Sequence, residues 1–469
     1  MQRFTIIEGW RAILAWWVVL SHTLSQSNLK LSGKEFNEIF ANISVNWTDP
    51  SSIANWFGYE LWQQAQSGKI PVYIFVMISG FVITHLLSMR HERYDVYIIR
   101  RFFRLWPALF FVLCLCAAFY MIDMPLRNYS HVLTDPATGE VLRDPETNRV
   151  LREDMFWQHF FLESTMFHGV VPDNVFENAT QMISGPGWSI SLEWQFYIVA
   201  PFMLLAFTKG GWRLWVVAAV LILCAWLGVL HDKKPVIFGT EYKWGPPSFL
   251  PHLIGFFALG MLSYFLLKKL KQTERPLTFG ALIILSAGLI ANSFQGPEGN
   301  FLPFVIWAMM FVSIMTSGTV FHYALDNKAL SWLGTISYST YIVHMPILTA
   351  VKKFILLNEP LMKSFGYLVT ANPGTRRFDN QMEALGYPGV EFGTPQFEAA
   401  LNEMGLKVLS LGSAEFLILM LVIAWPIVIL VSIFSYYVIE KPGIKVGKMI
   451  ASKLTGKPKS DFPQIKAPA

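Results

Sequence analysis

Charge is what this sequence has least of. Lys, Arg, Asp and Glu together make up 15% of its 469 residues, whereas 53% are hydrophobic. That balance excludes a string of soluble domains, because apolar runs long enough to cross a bilayer recur along the whole chain. Cysteine is almost missing as well. Cys114, Cys116 and Cys224 all fall inside apolar runs, where they read as small buried side chains; they leave no metal cluster and carry no information about redox compartment. A formal net charge of +5 would suggest nucleic acid in a soluble chain. Here the surplus sits in short loops and in the tail, as orientation signals do, and no nucleic-acid role is expected.

What is present is a series of apolar segments. The expected fold is an all-α polytopic membrane protein of about ten transmembrane helices. The spans run roughly Ile7 to Ser25, Ile70 to Ser88, Leu105 to Met124, Trp188 to Phe207, Trp212 to Leu230, Ser248 to Leu267, Leu277 to Phe294, Phe301 to Phe321, Leu330 to Val351 and Ala414 to Ile439. Residues 1–442 form the membrane domain on this reading, and 443–469 a basic cytoplasmic tail that fades into disorder. Arg90, Arg93, Arg100, Arg101 and Arg104 precede span three, Lys268, Lys269, Lys271 and Arg275 precede span seven, and Lys441, Lys445, Lys448 and Lys453 follow span ten. These clusters share one side if every span is real, which places both termini in the cytoplasm. The amino terminus is not a cleaved signal, since its apolar run contains Arg11 and lacks a small-residue cleavage site.

Long loops fall on the other side. One carries a tandem repeat, DPATGEVLR at 135–143 and DPETNRVLR at 144–152, in which an Asp-Pro turn leads twice into a short extended run. A hairpin or pair of strands serving as a cap is expected. The other long loop, Lys352 to Ser413, is rich in Gly and Pro, and Phe397, Leu401, Met404 and Val408 would line one face of a surface helix. Sequons at Asn42, Asn46, Asn128 and Asn178 also fall in outer segments, and chance accounts for such short motifs.

The first span holds the chemical signal. Arg11 and His22 are eleven residues apart, so on a helix they share a stripe and stand about 16 Å apart along it. An ionisable group inside a span is costly and marks a cavity rather than the lipid face.

Six patches then fall in order: TIIEGWRAILAWWVVLSH at 5–22, PVYIFVMISGFVIT at 71–84, RRFFRLWP at 100–107, GWSISLEWQFYIVAP at 187–201, LGTISYSTYIVHMP at 333–346 and YYVIEKP at 436–442. Together they resemble the acyltransferase-3 family of integral-membrane O-acyltransferases, which modify cell-surface polysaccharides using an acyl-coenzyme A donor. Glu8 departs from the Asp more usual before the Gly in that family, but the carboxylate is kept. The resemblance implies O-acetylation in the cell envelope, at a bacterial inner membrane, with acetyl-CoA as donor, no metal, and a glycan or glycolipid acceptor. Some members carry an extracellular esterase-like domain after the last span; with none expected here, acceptor chemistry falls to the membrane core.

The resemblance assigns His22, in its Arg-x10-His pattern, as catalytic, and the residue chemistry agrees: transfer to a hydroxyl needs a base, and a neutral imidazole suits. Arg101 and Arg104, at i and i+3, form a guanidinium fork suited to phosphate, and the resemblance implicates that Arg-x-x-Arg pair in coenzyme A use. Arg11 either neutralises a donor phosphate or holds Glu8. By topology His22, Ser189, Ser191, Glu193 and His344 all belong to the outer half of the membrane. Glu193 would stabilise a protonated imidazole, and Ser191 or Tyr197 would bond the developing oxyanion. Alternatively Ser189 and Ser191 bond backbone across helices. His344 is a second base or an acceptor-binding group, and Ser79 with Gly80 serves packing or lets the donor arm pass. The rival function is a polytopic transporter or flippase of a lipid-linked sugar or ion-coupled solute, for which no repeated halves are evident.

Overall fold

A computed structural model describes residues 5–28, 66–89, 92–133, 135, 140–145, 147–230, 234–270, 302–315, 324–370, 382–383, 385–390, 392 and 394–455. Helix dominates because the apolar runs leave no water to satisfy backbone groups, which must therefore bond within each segment. Six described helices are long and apolar enough to cross a membrane: α2 (Lys69–Met89), α3 (Tyr94–Met121), α5 (Gly187–Lys209), α7 (Leu250–Leu270), α10 (Ser337–Leu357) and α13 (Ala414–Leu454), alongside α1 (Thr5–Gln26), of similar length but carrying Glu8 and Arg11. The intervening α4 (Phe156–Ser164), α6 (Trp212–Trp226), α8 (Leu302–Met315) and α9 (Lys328–Thr335) are shorter, as is α11 (Glu359–Ser364) after α10. The span expected at Leu277 to Phe294 and the sequons Asn42 and Asn46 lie outside the described residues.

Several boundaries differ from expectation, two of them for a clear local reason. The segment expected as one span from Leu330 is two helices meeting at Ile336, since α9 turns its own face onto α1. There Gly334 lets backbones touch: a Cβ at that position would stand 1.9 Å from the Glu8 carbonyl oxygen. At the other end, α13 runs unbroken to Leu454, where a fading tail was expected from Gly443. It stays helical because Gly443 and Gly447 seat on Pro107 and Phe103 of α3, and Ala451 is buried beyond them.

The core follows the small-residue logic of membrane packing, in which close backbone approach replaces the hydrophobic drive. α2 and α7 make the most extensive helix contact, and it is reciprocal. A Cβ at Gly80 would lie 2.2 Å from the Phe257 carbonyl oxygen, and one at Gly260 would lie 2.1 Å from that of Met77. Around this crossing Phe196 stacks on Phe257 with centroids 3.9 Å apart, and Phe256 stacks on Phe304. Gly80 thus serves packing, one of the two roles open for it.

The cap between α3 and α5 is built on the repeat. β1 (Ser130–Val132) pairs antiparallel with β2 (Arg152–Asp154). Above them Leu133, Leu142 and Leu151, nine residues apart, close a ring in which each N–H donates to another's carbonyl: Leu142 to Leu133, Leu151 to Leu142 and Leu133 to Leu151. Both Asp-Pro turns close alike, with the N–H of Asp135 on the Glu140 carbonyl and that of Asp144 on the Arg149 carbonyl. A separate two-stranded antiparallel pair joins β3 (Val236–Ile237) to β4 (Thr240–Glu241).

The second long loop contains a parallel pair, β5 (Tyr367–Thr370) and β6 (Lys407–Ser410), connected through helix α12 (Pro395–Met404). Phe397, Ala400 and Leu401 of α12 pack on Leu368 and Met382. Gly405, in the left-handed region at φ 65°, ends this helix, so Val408 belongs to the strand and not to the expected helical stripe. The unit is tied to α1 where the Gly412 N–H donates to the Ser27 carbonyl.

Candidate active site

Arginines from two helices open the site. Arg101 and Arg104 stand two to three turns inside α3, because that helix begins at Tyr94 and not at Leu105. With Arg11 of α1 they line a cavity of about 140 Å3 whose remaining walls include Ser79 of α2, Ser189, Glu193 and Tyr197 of α5, and Tyr338 and Tyr341 of α10. Arg101 lies over the rings of Tyr97 and Tyr197, 5.8 and 5.5 Å from their centroids. Such stacking fixes a guanidinium while leaving its N–H edge available. Arg104 is held differently, by an ion pair with Glu440 and over the ring of Tyr338.

Glu193 faces the same space and accepts from the Ser79 hydroxyl at 2.8 Å and from the Tyr197 hydroxyl. Three arginines and one carboxylate therefore line the cavity, and Arg104 is paired besides with Glu440 behind the wall. The positions expected for Arg11, Arg101, Arg104, Ser79 and Glu193 thus come together. Glu193 sits at the arginine end, however, and not beside the imidazole it was expected to support.

The histidines occupy the next layer. Tyr341 forms the boundary: its hydroxyl bonds Ser189 Oγ at 2.7 Å, and its ring lies 5.8 Å from that of His344, one turn further along α10. His344 and His22 then face each other with centroids 5.2 Å apart. Neither lines the cavity itself. His344 is fully buried, and its Nδ1 lies 2.6 Å from the Tyr341 carbonyl oxygen, which can only accept. Nδ1 must carry the proton, so Nε2 keeps its lone pair. That nitrogen is buried with no hydrogen-bond partner among the described residues. A Cβ at Gly68 would come within 3.4 Å of His22 Nε2, so the turn leading into α2 packs against His22.

Ser191 stands apart. It is fully buried on the other side of α5, where it accepts the Gly169 N–H at 3.0 Å and lies 3.3 Å from the Gln195 amide nitrogen. Of the two uses open for the serines, it takes the backbone-bonding one, and Ser189 takes the place beside the cavity.

A family model described as an acyltransferase domain matches residues 4–374, most of the chain. The chain belongs to the acyltransferase-3 family. Two curated relatives of this acyltransferase-3 chain are the peptidoglycan O-acetyltransferase OatA of Listeria monocytogenes, 25% identical over 327 residues, and the putative peptidoglycan O-acetyltransferase YrhL of Bacillus subtilis, 26% identical over 309. The alignments cover 63% and 61% of this chain but 47% and 45% of those proteins, so it spans about half their length. No solved structure matches.

The residue that sequence reasoning passed over in this acyltransferase-3 site is Glu440. It is fully buried in a π-helical turn, Ser435–Glu440, where it also accepts from Ser339 Oγ at 2.8 Å. It lies beyond the matched 4–374, on the far side of the β5–α12–β6 unit. The available signal was a lone carboxylate at the end of an apolar run, and π turns recur at functional positions.

Proposed function

We propose that this protein is a membrane-bound O-acyltransferase that moves an acyl group, acetyl in the first instance, from cytoplasmic acyl-CoA to a hydroxyl of an extracytoplasmic or lipid-linked glycan. The relatives named for peptidoglycan support a glycan of that kind; the sidedness rests on the ten-span arrangement with both termini inside that the sequence leads us to expect. One observation carries the reading: a buried face-to-face histidine pair, one member with a free Nε2, stands one layer beyond a cavity lined by three arginines.

In this reading Arg101 and Arg11 present positive charge to the donor phosphates, while Arg104 is anchored by Glu440 and shapes the wall. The acyl thioester reaches past Tyr341 to the histidines. The acceptor O–H gives its proton to an imidazole Nε2 as oxygen attacks the thioester carbonyl carbon; the C–S bond then breaks, and the departing thiolate takes the proton back. His22 is the assigned base and His344 its partner. A route through an acyl-enzyme would use the same pair.

The test is acetyl-CoA turnover by the purified protein in liposomes, with donor binding measured in parallel. His22→Ala and His344→Ala should each lower turnover by about 10²–10⁴-fold with donor affinity little changed. Arg101→Ala should instead weaken donor binding. If the wild type neither binds nor consumes the donor with any of several acyl chains, the acyl-transfer reading falls, and transport becomes the reading to pursue.

A further inference from the structure

A second cavity, of about 640 Å3, opens at the opposite end of α3 from the arginines. Tyr120 stands sixteen residues beyond Arg104, about 24 Å along the helix. The walls come from three places: the end of α3 with Tyr120, the base of the cap with Arg127, Asn128, Tyr129 and Asp154, and the last turns of α10 with Lys353. None of these residues takes part in the site described above.

Its two cations are held in an unusual way. Arg127 donates through Nη1 to the Gln181 carbonyl oxygen at 2.7 Å, and the Lys353 ammonium bonds the Pro125 carbonyl oxygen. Both are partly buried, and neither is ion-paired with a carboxylate among the described residues. A carbonyl oxygen positions a cation without neutralising it, so two positive charges share one cleft with the carboxylates of Asp123 and Asp154, likewise not ion-paired among the described residues. Beside them the rings of Tyr120 and Tyr129 meet edge to face at 5.9 Å. Asp154, whose Oδ1 accepts the Phe156 N–H at 2.8 Å, supplies a fixed acceptor, and Asn128 offers an amide. Aromatic rings, donors, acceptors and cations around one open cleft match a sugar ring that bears a negative group.

The cleft also adjoins the histidine layer. A Cβ at Gly185 would lie 3.1 Å from Arg127 Nη2 and 3.6 Å from the Met345 Cβ, and Met345 follows His344 directly. Gly185 belongs to the segment that enters α5, which bears Ser189 and Glu193. A group held on Arg127 is therefore held against the wall of the candidate active site.

We propose that this outer cavity is an acceptor subsite that selects a glycan carrying a carboxylate, gripped by Arg127 and Lys353 while Asp154 and the tyrosines receive the ring. The proposal rests on the acyl-transfer reading for its purpose, though its binding chemistry stands on these residues alone. The carboxylates of Asp123 and Asp154 in the lining weigh against either anion alike; what favours a sugar over a phospholipid headgroup is that its ring hydroxyls donate to them.

The experiment is equilibrium binding to the protein in nanodiscs of zwitterionic lipid. The probes are a tetrasaccharide of alternating N-acetylglucosamine and N-acetylmuramic acid and the same sugar with its carboxylates reduced to alcohols. The acid form should bind roughly tenfold more tightly. Lys353→Gln should bring that ratio close to one, and Lys353→Arg should keep most of it. Equal binding of the two sugars to the wild type overturns the proposal without recourse to any variant. So does an undiminished ratio in Lys353→Gln, or loss of the acid-sugar preference when phosphatidylglycerol replaces the zwitterionic lipid, which would assign the cations to a headgroup. Acetyl-CoA consumption, followed on the same preparation with either sugar present as acceptor, separates the two readings. Discrimination without turnover sinks acyl transfer and keeps the subsite; turnover without discrimination sinks the subsite alone.

Discussion

At the scale of single residues, the pair of Arg104 and Glu440 is the most exacting element of the site. Glu440 has no solvent access, so its charge depends on Arg104 and on the hydroxyl of Ser339. Breaking one half of such a pair strands the other, which typically costs about 3–5 kcal/mol, whereas replacing both halves with apolar groups is often neutral. Arg104→Met and Glu440→Met should therefore each lower the melting temperature in detergent, and the double variant should recover much of the loss. Recovery of the fold without recovery of acetyl-CoA turnover would separate shape from chemistry. A double variant no more stable than the worse single would show that the pair does not carry the stability assigned to it. Ser189, Ser191 and Glu193 teach a related lesson. Successive positions turn by 100°, so Ser189 and Glu193 share one face of α5 while Ser191 lies about 200° from Ser189. The observed split was present in the spacing, because a helix that must line a cavity on one side and seal against the cap on the other cannot use both serines alike.

Among the secondary-structure elements, those buried in lipid were the most legible, because the bilayer demands long apolar runs and tolerates little else. Arg11 and His22 were legible for the same reason: on α1 one reaches the cavity and the other His344. The ring of Leu133, Leu142 and Leu151 was readable only as a tendency to pair, since its closure depends on three backbone segments meeting and not on any residue type. The β5–α12–β6 unit was missed as a unit because parallel pairing is non-local, and only the apolar stripe of α12 showed in the sequence. The cap holds a titration of its own. His159 lies against His131 with Nε2 atoms 2.7 Å apart, both rings beside Phe176. Burial, with the neighbouring His131 and His168 adding to it, pushes the His159 imidazole down to about 3, and burial also lowers His131 despite Glu177 and Asp154 nearby. Histidines depressed in the folded state stabilise the cap above their ordinary value near 6.5, and that stability drains away as pH falls below it. Hydrogen exchange through 130–164, corrected for its intrinsic pH dependence, should quicken between pH 7 and pH 5 in the wild type and much less in His159→Gln. Equal acceleration in both would place the pH response elsewhere.

For the molecule as a whole, the arrangement sets a direction. The arginine cavity lies toward the start of α3 and the outer cavity at its end, with the histidine pair one layer beyond the first and walled against the second. The end of α13 identifies which face is which, because Gly443 and Gly447 lie on Pro107 and Phe103, alongside Arg104. The carboxyl-terminal lysines and the arginines of the candidate site therefore share one end of the bundle, the end that the proposed topology, with its excess of positive loops, puts in the cytoplasm. Sidedness follows as a prediction. In proteoliposomes carrying a protease-removable tag at the carboxyl terminus, added protease reports which molecules expose that end. Acetyl-CoA, which does not cross lipid, should be consumed in proportion to the fraction of molecules whose tag is cleaved when donor and protease are added on the same side. Acetyl groups should then appear on glycan enclosed in the vesicle lumen. Consumption that tracks the protected fraction would reverse the orientation. Consumption indifferent to sidedness, or acetylation confined to the donor's own compartment, would mean that the two cavities do not serve one reaction across the bilayer.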